Sequence, residues 1–243
     1  MPAATDGGGG VVFADLHCHS AASFDSLSRP ADLVRAAHGR GLTHLAITDH
    51  GHLEGALAAR EIAPASLTII VGEEVRSRDG DIIGLYLERT VPAGMSALET
   101  IAAIHEQGGL AGIPHPFDRF RASGLARLPA GDLAAVLAAI DYIEAWNARV
   151  PTAAVNQRAR EFALAHELPV VAVSDAHSVL EVGVAYTRLP GPIGDAAALR
   201  AALPAAELVP GRASYLVRAL TPWAKLVQRG RARRAAAGLT SGR

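Results

Sequence analysis

Short runs of apolar and β-branched residues alternate along the chain with alanine-rich segments whose apolar positions repeat at helical spacing. This alternation is typical of folds in which parallel strands alternate with covering helices. Strands are predicted at residues 11–17, 43–48, 67–73, 82–87, 110–114, 141–146 and 169–174. Helices are predicted at residues 30–40, 53–62, 95–107, 131–139 and 152–166. The pattern therefore predicts a single-domain α/β protein folded as a distorted, TIM-like (β/α)7 barrel.

One link between strands breaks the regular repetition. The segment SRDGD joins the third and fourth predicted strands, and its Asp79-Gly80 pair is typical of a β-hairpin. The two ends of the chain also differ from the middle. The glycine-rich residues 1–10 are predicted to be a flexible leader, residues 11–220 to form the barrel, and residues 221–243 to form a basic C-terminal helix and tail.

Composition narrows the class of protein. Half of the 243 residues are apolar, which suffices for a sizeable core. The formal net charge is −1, so the molecule as a whole has no bulk attraction for nucleic acid or for an anionic membrane. No apolar run reaches membrane-spanning length. The single cysteine, Cys18, cannot form an internal disulfide; it favours a cytoplasmic location and is expected to be a small buried apolar residue.

Residue types that bind metal ions recur at or just beyond the C-terminal ends of the predicted strands. His17 and His19 follow the first strand, and Asp175 and His177 follow the seventh. Residues two apart on a strand project from the same face, so each pair can bind one metal ion. In a parallel barrel these strand ends share one rim, where we expect the side chains to converge. The predicted ligands are His17, His19, Asp25, His50, Glu74, His115, Asp175 and His177.

Eight imidazole and carboxylate side chains exceed the requirement of one metal ion, because four to six ligands saturate it. The sequence therefore predicts two or three divalent ions, and a mixed set without thiolate suits manganese, zinc or iron. Glu74 is predicted to bridge a pair of them. Paired ions activate water and stabilise the entering and leaving oxygens of a phosphate ester. This ligand set therefore predicts hydrolysis of phosphoesters.

The motifs HCH, TDH, GEE, PHP and SDAH follow one another between about residues 11 and 190. In this order they resemble the motifs of the polymerase and histidinol phosphatase (PHP) superfamily. The resemblance implies a distorted (β/α)7 barrel, a trinuclear metal site and phosphoesterase activity. It also implies that Glu74 is the ligand, with Glu73 on the other face of its strand. The chain is similar to the bacterial nucleotide and RNA phosphoesterase branch, but only about 40 residues separate Glu74 from His115, so the inserted domain of that branch is missing.

Asp81 is a departure from that resemblance. Members of the nucleotide and RNA branch resemble one another in placing a histidine where Asp81 stands here. An aspartate at this position either ligates a third metal ion or caps the predicted hairpin, and both interpretations remain open.

Three other polar residues, together with the predicted ligand His177, are candidates for catalysis or for positioning the ligands or the substrate. Asp49 precedes His50 and either orients a ligand or accepts a proton, although helix capping explains it equally well. His177 is the second catalytic candidate. Glu144 lies inside a predicted strand and is either a core residue or an outer contact of a ligand. Ser178 either donates to a phosphate oxygen or caps the next segment.

Substrate binding needs hydrogen-bond donors near the ions. Arg119 and Arg121 follow the His115-Pro116 turn and are predicted to bind a phosphate or carboxylate, although surface solubility explains them equally well. Asn147 ends a predicted strand and lies on the same predicted rim.

Three hypotheses follow for function. The first is a metal-dependent phosphoesterase that uses metal-activated water on a phosphomonoester or a nucleotide-type phosphodiester, with a small phosphorylated molecule or nucleotide as substrate. The second is a nuclease acting on RNA or DNA ends, in which the basic residues 221–243 hold the nucleic acid. The third is a non-catalytic, metal-binding regulatory protein. No membrane partner is expected from the sequence.

Overall fold

The computed structural model describes residues 10–118, 128 and 131–240, with side chains described as far as residue 234. Within these residues, nine strands form one sheet that helices cover. The strands are β1 Val11–Asp15, β2 His44–Ile47, β3 Thr68–Ser77, β4 Gly80–Leu85, β5 Leu110–Ile113, β6 Tyr142–Asn147, β7 Val170–Val173, β8 Tyr186–Pro190 and β9 Glu207–Val209. The helices are α1 Pro30–Gly39, α2 Glu54–Ile62, α3 Ala97–His105, α4 Leu133–Ala139, α5 Ala153–Ala165, α6 Ala196–Ala202, α7 Tyr215–Arg218 and α8 Leu220–Thr240, with a 3-10 turn at Leu203–Ala205.

The sheet has the strand order β7-β6-β5-β4-β3-β2-β1-β8-β9. Strands β1, β2 and β3 pair in parallel, as do β5, β6 and β7, whereas β4 is antiparallel to both of its neighbours. The predicted strands and helices correspond to β1–β7 and α1–α5. The hairpin predicted at Asp79-Gly80 is confirmed, because Ser77 pairs with Gly80 across the β3–β4 turn.

Strand β3 is longer than predicted. Its pairing with β4 continues in register from Gly72 opposite Leu85 to Ser77 opposite Gly80. Glu74 therefore lies inside a strand, and the expectation that every predicted ligand lies at or beyond a strand end is wrong for this residue. Because β4 pairs with β3 along this whole length, these two strands extend beyond the C-terminal ends of the parallel strands.

The sheet is nearly closed into a barrel where β1 and β7 meet. Beyond the two strands, Cys18 pairs with Ala176 in an isolated parallel bridge, and the backbone N–H of His19 donates to the carbonyl of Ala176 at 2.8 Å. Strand β8 also bonds to β7, because the hydroxyl of Thr187 accepts from the N–H of Ala172 and donates to its carbonyl, both at 2.9 Å. This closure places the segment of His17 and His19 beside the segment of Asp175 and His177.

The barrel interior changes from apolar to polar toward the rim. Successive side chains of a strand alternate between its two faces, so one face of each strand lines the interior. The lower interior positions are apolar and include Val12, Ile70, Ile83, Tyr142 and Val173. The interior positions nearer the rim carry buried polar residues, which are Glu74, Asp81, Glu144 and Asp175. The fold thus places a layer of polar side chains above the apolar side chains of the barrel interior.

The chain continues beyond the predicted elements. Strands β8 and β9 extend the sheet beside β1, and α6 follows β8. Helix α8 begins at Leu220, close to the start of the basic segment, while the predicted division between residues 11–220 and 221–243 stays a prediction. Among the described residues, none of the helices is both long enough and apolar enough to cross a bilayer.

Candidate metal centre

The first group of predicted ligands joins the ends of β1 and β7. The Nε2 atoms of His17 and His19 lie 3.0 Å apart. Oε2 of Glu74 lies 3.2 Å from the first of these atoms and 3.3 Å from the second, and Oδ1 of Asp175 lies 3.7 Å from both. All four side chains are buried. Two imidazole nitrogens and two carboxylate oxygens therefore converge on one point.

A second group lies beside the first. Oδ2 of Asp25 is 3.2 Å from Nε2 of His177 and 3.5 Å from Nε2 of His50. The Nε2 atom of His50 also lies 3.5 Å from Oε2 of Glu74. Burial lowers the pKa of His177 to about 4, and the neighbouring positive charges act in the same direction. A neutral imidazole is the form that binds a metal ion.

Asp81 belongs to a third group. Glu74, Asp81 and His115 offer ligand atoms that all lie within 4.8 Å of one another. The other oxygen of Glu74, Oε1, lies 3.3 Å from Nε2 of His115. Burial and the nearby charge of Glu74 raise the pKa of Asp81 to about 6. The hairpin is closed by other groups, because the Ser77 hydroxyl bonds to Gly80 and accepts from the N–H of Asp79.

Glu74 is the side chain that connects the three groups. One of its oxygens faces His17, His19 and His50, and the other faces His115. Burial opposes its ionisation, but nearby histidine charges and hydrogen bonds hold the pKa of Glu74 well below its usual range. Its neighbour in the chain has a different partner, since the Glu73 carboxylate accepts from the N–H of Val91 at 2.8 Å, although Glu73 also lines the cleft beside the centre.

The donor set fits divalent metal ions. Nδ1 of His17 lies 2.6 Å from Oε1 of Glu144, so its proton is held there and the lone pair of Nε2 faces the acceptor atoms of the group. Converging lone pairs and buried carboxylates repel one another unless a cation lies among them. Burial alone would lower the pKa of His17, yet the surrounding carboxylates raise it well above its usual range. The surrounding carboxylates therefore favour a positive charge at this position, which a divalent ion would supply.

Glu144 and Asn147 of β6 lie beneath the ligands and connect them. Oε2 of Glu144 accepts from the backbone N–H of His115 and from the Asn147 amide, both at 2.9 Å. The Asn147 amide also lies 3.0 Å from Oδ2 of Asp175. Glu144 is therefore an outer contact of the ligands. Asn147 is fully buried among them, and its predicted contact with substrate stays a prediction.

The catalytic candidate Asp49 lies apart from the three groups. Its two oxygens accept from the backbone N–H and the hydroxyl of Ser20, each at 2.6 Å. A Cβ at Gly55 would lie 2.3 Å from Asp49 Oδ2, so only glycine leaves room for this carboxylate. Asp49 holds the chain just after His19, and its role in catalysis stays a prediction. Ser178 donates to the carboxylate of Glu181 at 3.0 Å, and both interpretations of its role stay predictions.

A cleft of about 370 Å³ opens beside the centre. Its lining includes Phe24, His50, Glu74, Arg76 and Thr90. The predicted phosphate-binding residues Arg119 and Arg121 lie outside the described residues.

Arg76 is the cation that the sequence reasoning missed. Its side chain is 63% exposed, and its Nε lies 3.4 Å from Oδ1 of Asp81. Arg76 stands two residues after Glu74, on the same face of β3. Strand spacing would have identified it, but the predicted strand ended at residue 73.

The comparisons with known proteins agree with this architecture. The model of the PHP domain matches residues 15–147, and the PHP-associated model matches residues 154–208. An uncharacterised protein of Methanocaldococcus jannaschii is 32% identical over 174 residues, which cover 72% of this chain and 69% of that protein. A 5'-3' exoribonuclease of Haemophilus influenzae is 32% identical over 124 residues, which cover 44% of each chain.

The fold is also similar to that of solved structures. A two-domain protein from Bacteroides vulgatus, described as containing a predicted PHP-like metal-dependent phosphoesterase, superimposes with a TM-score of 0.71 at 19% identity. The match covers 84% of this chain and 66% of that one. Because the PHP domain model spans more than half of the sequence and the barrel has the corresponding fold, the chain belongs to the PHP domain family.

Proposed function

We propose that this protein is a metal-dependent phosphoesterase that hydrolyses a phosphomonoester or a nucleotide-type phosphodiester. The observation that carries the proposal is the position of Glu74. One of its oxygens faces the imidazoles of His17, His19 and His50, and the other faces His115. The proposed ligands are His17, His19, Asp25, His50, Glu74, Asp81, His115, Asp175 and His177.

Two or three divalent ions bound there would supply activated water and neutralise the charge that develops on a phosphate. The chain's own residues fix where this happens. Of the proposed ligands, His50 and Glu74 line the cleft, together with Arg76 and Phe24. Glu144 holds His17 with Nε2 toward the centre. A cleft of about 370 Å³ is of a size that holds a small phosphorylated molecule.

The proposal is tested by metal content and ester hydrolysis together. We expect the purified protein to bind two or three ions per chain and to release p-nitrophenol from p-nitrophenyl phosphate or its bis ester with manganese, zinc or iron. The preferred ester separates a monoesterase from a diesterase. Fewer than two ions and no turnover would overturn the proposal. Full metal occupancy without turnover on a broad ester panel would favour the non-catalytic regulatory protein.

Replacing Arg76 with glutamine is expected to weaken substrate binding. The guanidinium lines the cleft beside Glu74, and a charge-assisted hydrogen bond to phosphate at this partly exposed position supports an increase in KM of about tenfold. The change in kcat is expected to be smaller, because Arg76 is not among the proposed ligands. Steady-state kinetics with p-nitrophenyl phosphate measure both constants.

Arg78→Gln is the matched control. Arg78 follows the same strand, is 67% exposed, and pairs with an aspartate, as Arg76 does, but it lies outside the cleft lining. An equal rise of KM in both variants would mean that the effect is one of general surface charge.

Nuclease activity is the second candidate, and the distribution of charge favours it. Residues 208–243 contain eight Lys and Arg and no Asp or Glu, so the whole-chain charge of −1 leaves −9 on residues 1–207. Arg231, Arg233 and Arg234 are exposed on α8. A cationic helix attached to an acidic barrel can hold a phosphodiester backbone where the barrel alone would repel it.

Substituting Arg231, Arg233 and Arg234 with glutamine distinguishes the two candidates. If α8 holds nucleic acid, turnover of an oligonucleotide is expected to fall and to lose part of its salt dependence, by about one unit of slope for each lost phosphate contact. Hydrolysis of p-nitrophenyl phosphate is expected to stay the same. The control removes equal charge from exposed positions elsewhere, with Arg35, Arg60 and Arg160 changed to glutamine. A similar loss in both triple variants would contradict the nuclease candidate.

A further inference from the structure

Helix α8 contacts the loop that carries Asp25. Nε2 of Gln228 lies 2.8 Å from the carbonyl oxygen of Ala21, 3.2 Å from that of Ser23 and 2.9 Å from that of Ser26. An amide NH2 has two protons to donate, and an oxygen in its place would face three carbonyl oxygens, so only this orientation is favourable. One side chain, more than 200 residues away in sequence, thus holds the loop at three points.

The same loop is bonded to the proposed ligands. The hydroxyl of Ser23 donates to Oδ1 of Asp25 at 2.7 Å, which leaves Oδ2 facing His50 and His177. The Ser26 hydroxyl lies 2.9 Å from the carbonyl of His19 and 3.1 Å from that of His177. Any shift of this loop therefore moves the Asp25 carboxylate relative to both histidines.

Other contacts fix α8 against the barrel. The guanidinium of Arg149 donates to the hydroxyl of Thr221 at 2.8 Å and to Glu181 at 2.9 Å, and Ala224 is buried. Nζ of Lys225 lies 5.2 Å from the ring centre of Phe24, whose other ring contact is His50 at 4.9 Å. Gln228 lies one turn further along the same packed side of the helix.

We propose that Gln228 is a positioning residue of the metal centre, through which docking of α8 and metal binding at Asp25, His50 and His177 are thermodynamically linked. The inference rests on the proposed function, because it takes these three residues as ligands. A metal ion bound to Asp25 would hold the loop against which α8 packs. In turn, α8 packed on this loop holds the Asp25 carboxylate in the position that binds the ion. Linkage is reciprocal, so each event strengthens the other by the same factor.

Hydrogen exchange of the full-length wild-type protein tests the link without any variant. Adding Mn²⁺ to the metal-free protein is expected to slow exchange of the backbone amides of residues 20–28 and of residues 220–234. An effect on the loop alone, with α8 unchanged, would overturn the proposal. This measurement decides the question even if a variant fails to fold.

Mn²⁺ titration of variants gives the size of the link. Gln228→Ala is expected to weaken Mn²⁺ binding at Asp25, His50 and His177 by about tenfold, which is at the lower end of the effect of losing an outer contact. Ions bound elsewhere in the centre are expected to keep their affinity. Gln228→Glu is expected to weaken it further, because a carboxylate would face the three carbonyl oxygens. Gln157→Ala is the control, since within the described part of the chain the side chain of this helical glutamine bonds only to Glu161 on its own helix, far from the loop in sequence.

The failures of the two proposals are distinguishable. Wild-type protein that binds no Mn²⁺ overturns both the proposed function and the link. If wild-type protein binds Mn²⁺, either the absence of a metal effect on the exchange of α8 or an unchanged affinity in Gln228→Ala overturns the link alone.

Discussion

Glu74→Gln is expected to lower kcat for phosphoester hydrolysis by at least about a thousandfold, or about 4 kcal/mol of transition-state stabilisation. The amide keeps the volume of the side chain and removes the negative charge that faces the imidazoles of His17, His19, His50 and His115. It also replaces one oxygen by an NH2, which would turn donor protons toward His115 or toward His17 and His19. We therefore expect loss of bound metal together with loss of activity.

Metal analysis of the dialysed protein, measured beside turnover, checks this expectation. Glu73→Gln is the matched control, because it makes the same chemical change at the next residue. Glu73 is also buried and lines the same cleft, but its carboxylate accepts from the N–H of Val91 and is in none of the three groups. It is expected to keep the wild-type metal content. Full metal content in Glu74→Gln, or equal metal loss in both variants, would contradict the central position given to Glu74.

The local parts of the centre were predictable because they depend on the spacing of neighbouring residues. The two-residue spacing of His17 with His19 and of Asp175 with His177 places each pair on one face, and strand order in a parallel barrel brings the pairs to one rim. The structure brings all eight predicted ligands into overlapping groups, which share His19 or Glu74. The sequence left the role of Asp81 open; the register of β4 places its side chain on the same face as Ile83, toward Glu74.

The connections between distant segments were not predictable in this way. Glu144 contacts His17 across 127 residues of sequence, and Gln228 contacts Ala21 across 207. Periodicity shows which face of a strand or helix is buried, but it carries no information about which distant residue lies opposite. Strand β8 was missed for a related reason. Only two of its five residues are buried, because it lies toward the open edge of the sheet, so it lacks a continuous apolar run.

Glu144→Gln is expected to lower metal affinity and kcat/KM by about 10- to 100-fold, the usual cost of losing an outer contact. Three donors need the two carboxylate oxygens: Nδ1–H of His17, the backbone N–H of His115 and the amide of Asn147. Glutamine offers one oxygen. If that oxygen faces His17, two N–H donors meet an NH2; if the NH2 faces His17, the proton is moved to Nε2, where it points at the metal centre.

Asp141→Asn separates this effect from a general loss of stability. Asp141 precedes the first residue of β6, at the opposite end of the strand from the centre, and its carboxylate accepts from the N–H of Ala111 at 2.7 Å and from Arg200 at 2.7 Å. Its substitution is expected to lower the free energy of unfolding by about 1–3 kcal/mol and to leave metal stoichiometry unchanged. In Mn²⁺ titration, Glu144→Gln is expected to lose more metal affinity than the lower stability of its metal-free form explains. If both variants lose stability alike and both bind Mn²⁺ as the wild type does, Glu144 is a structural core residue and its contact with His17 does not tune the metal centre.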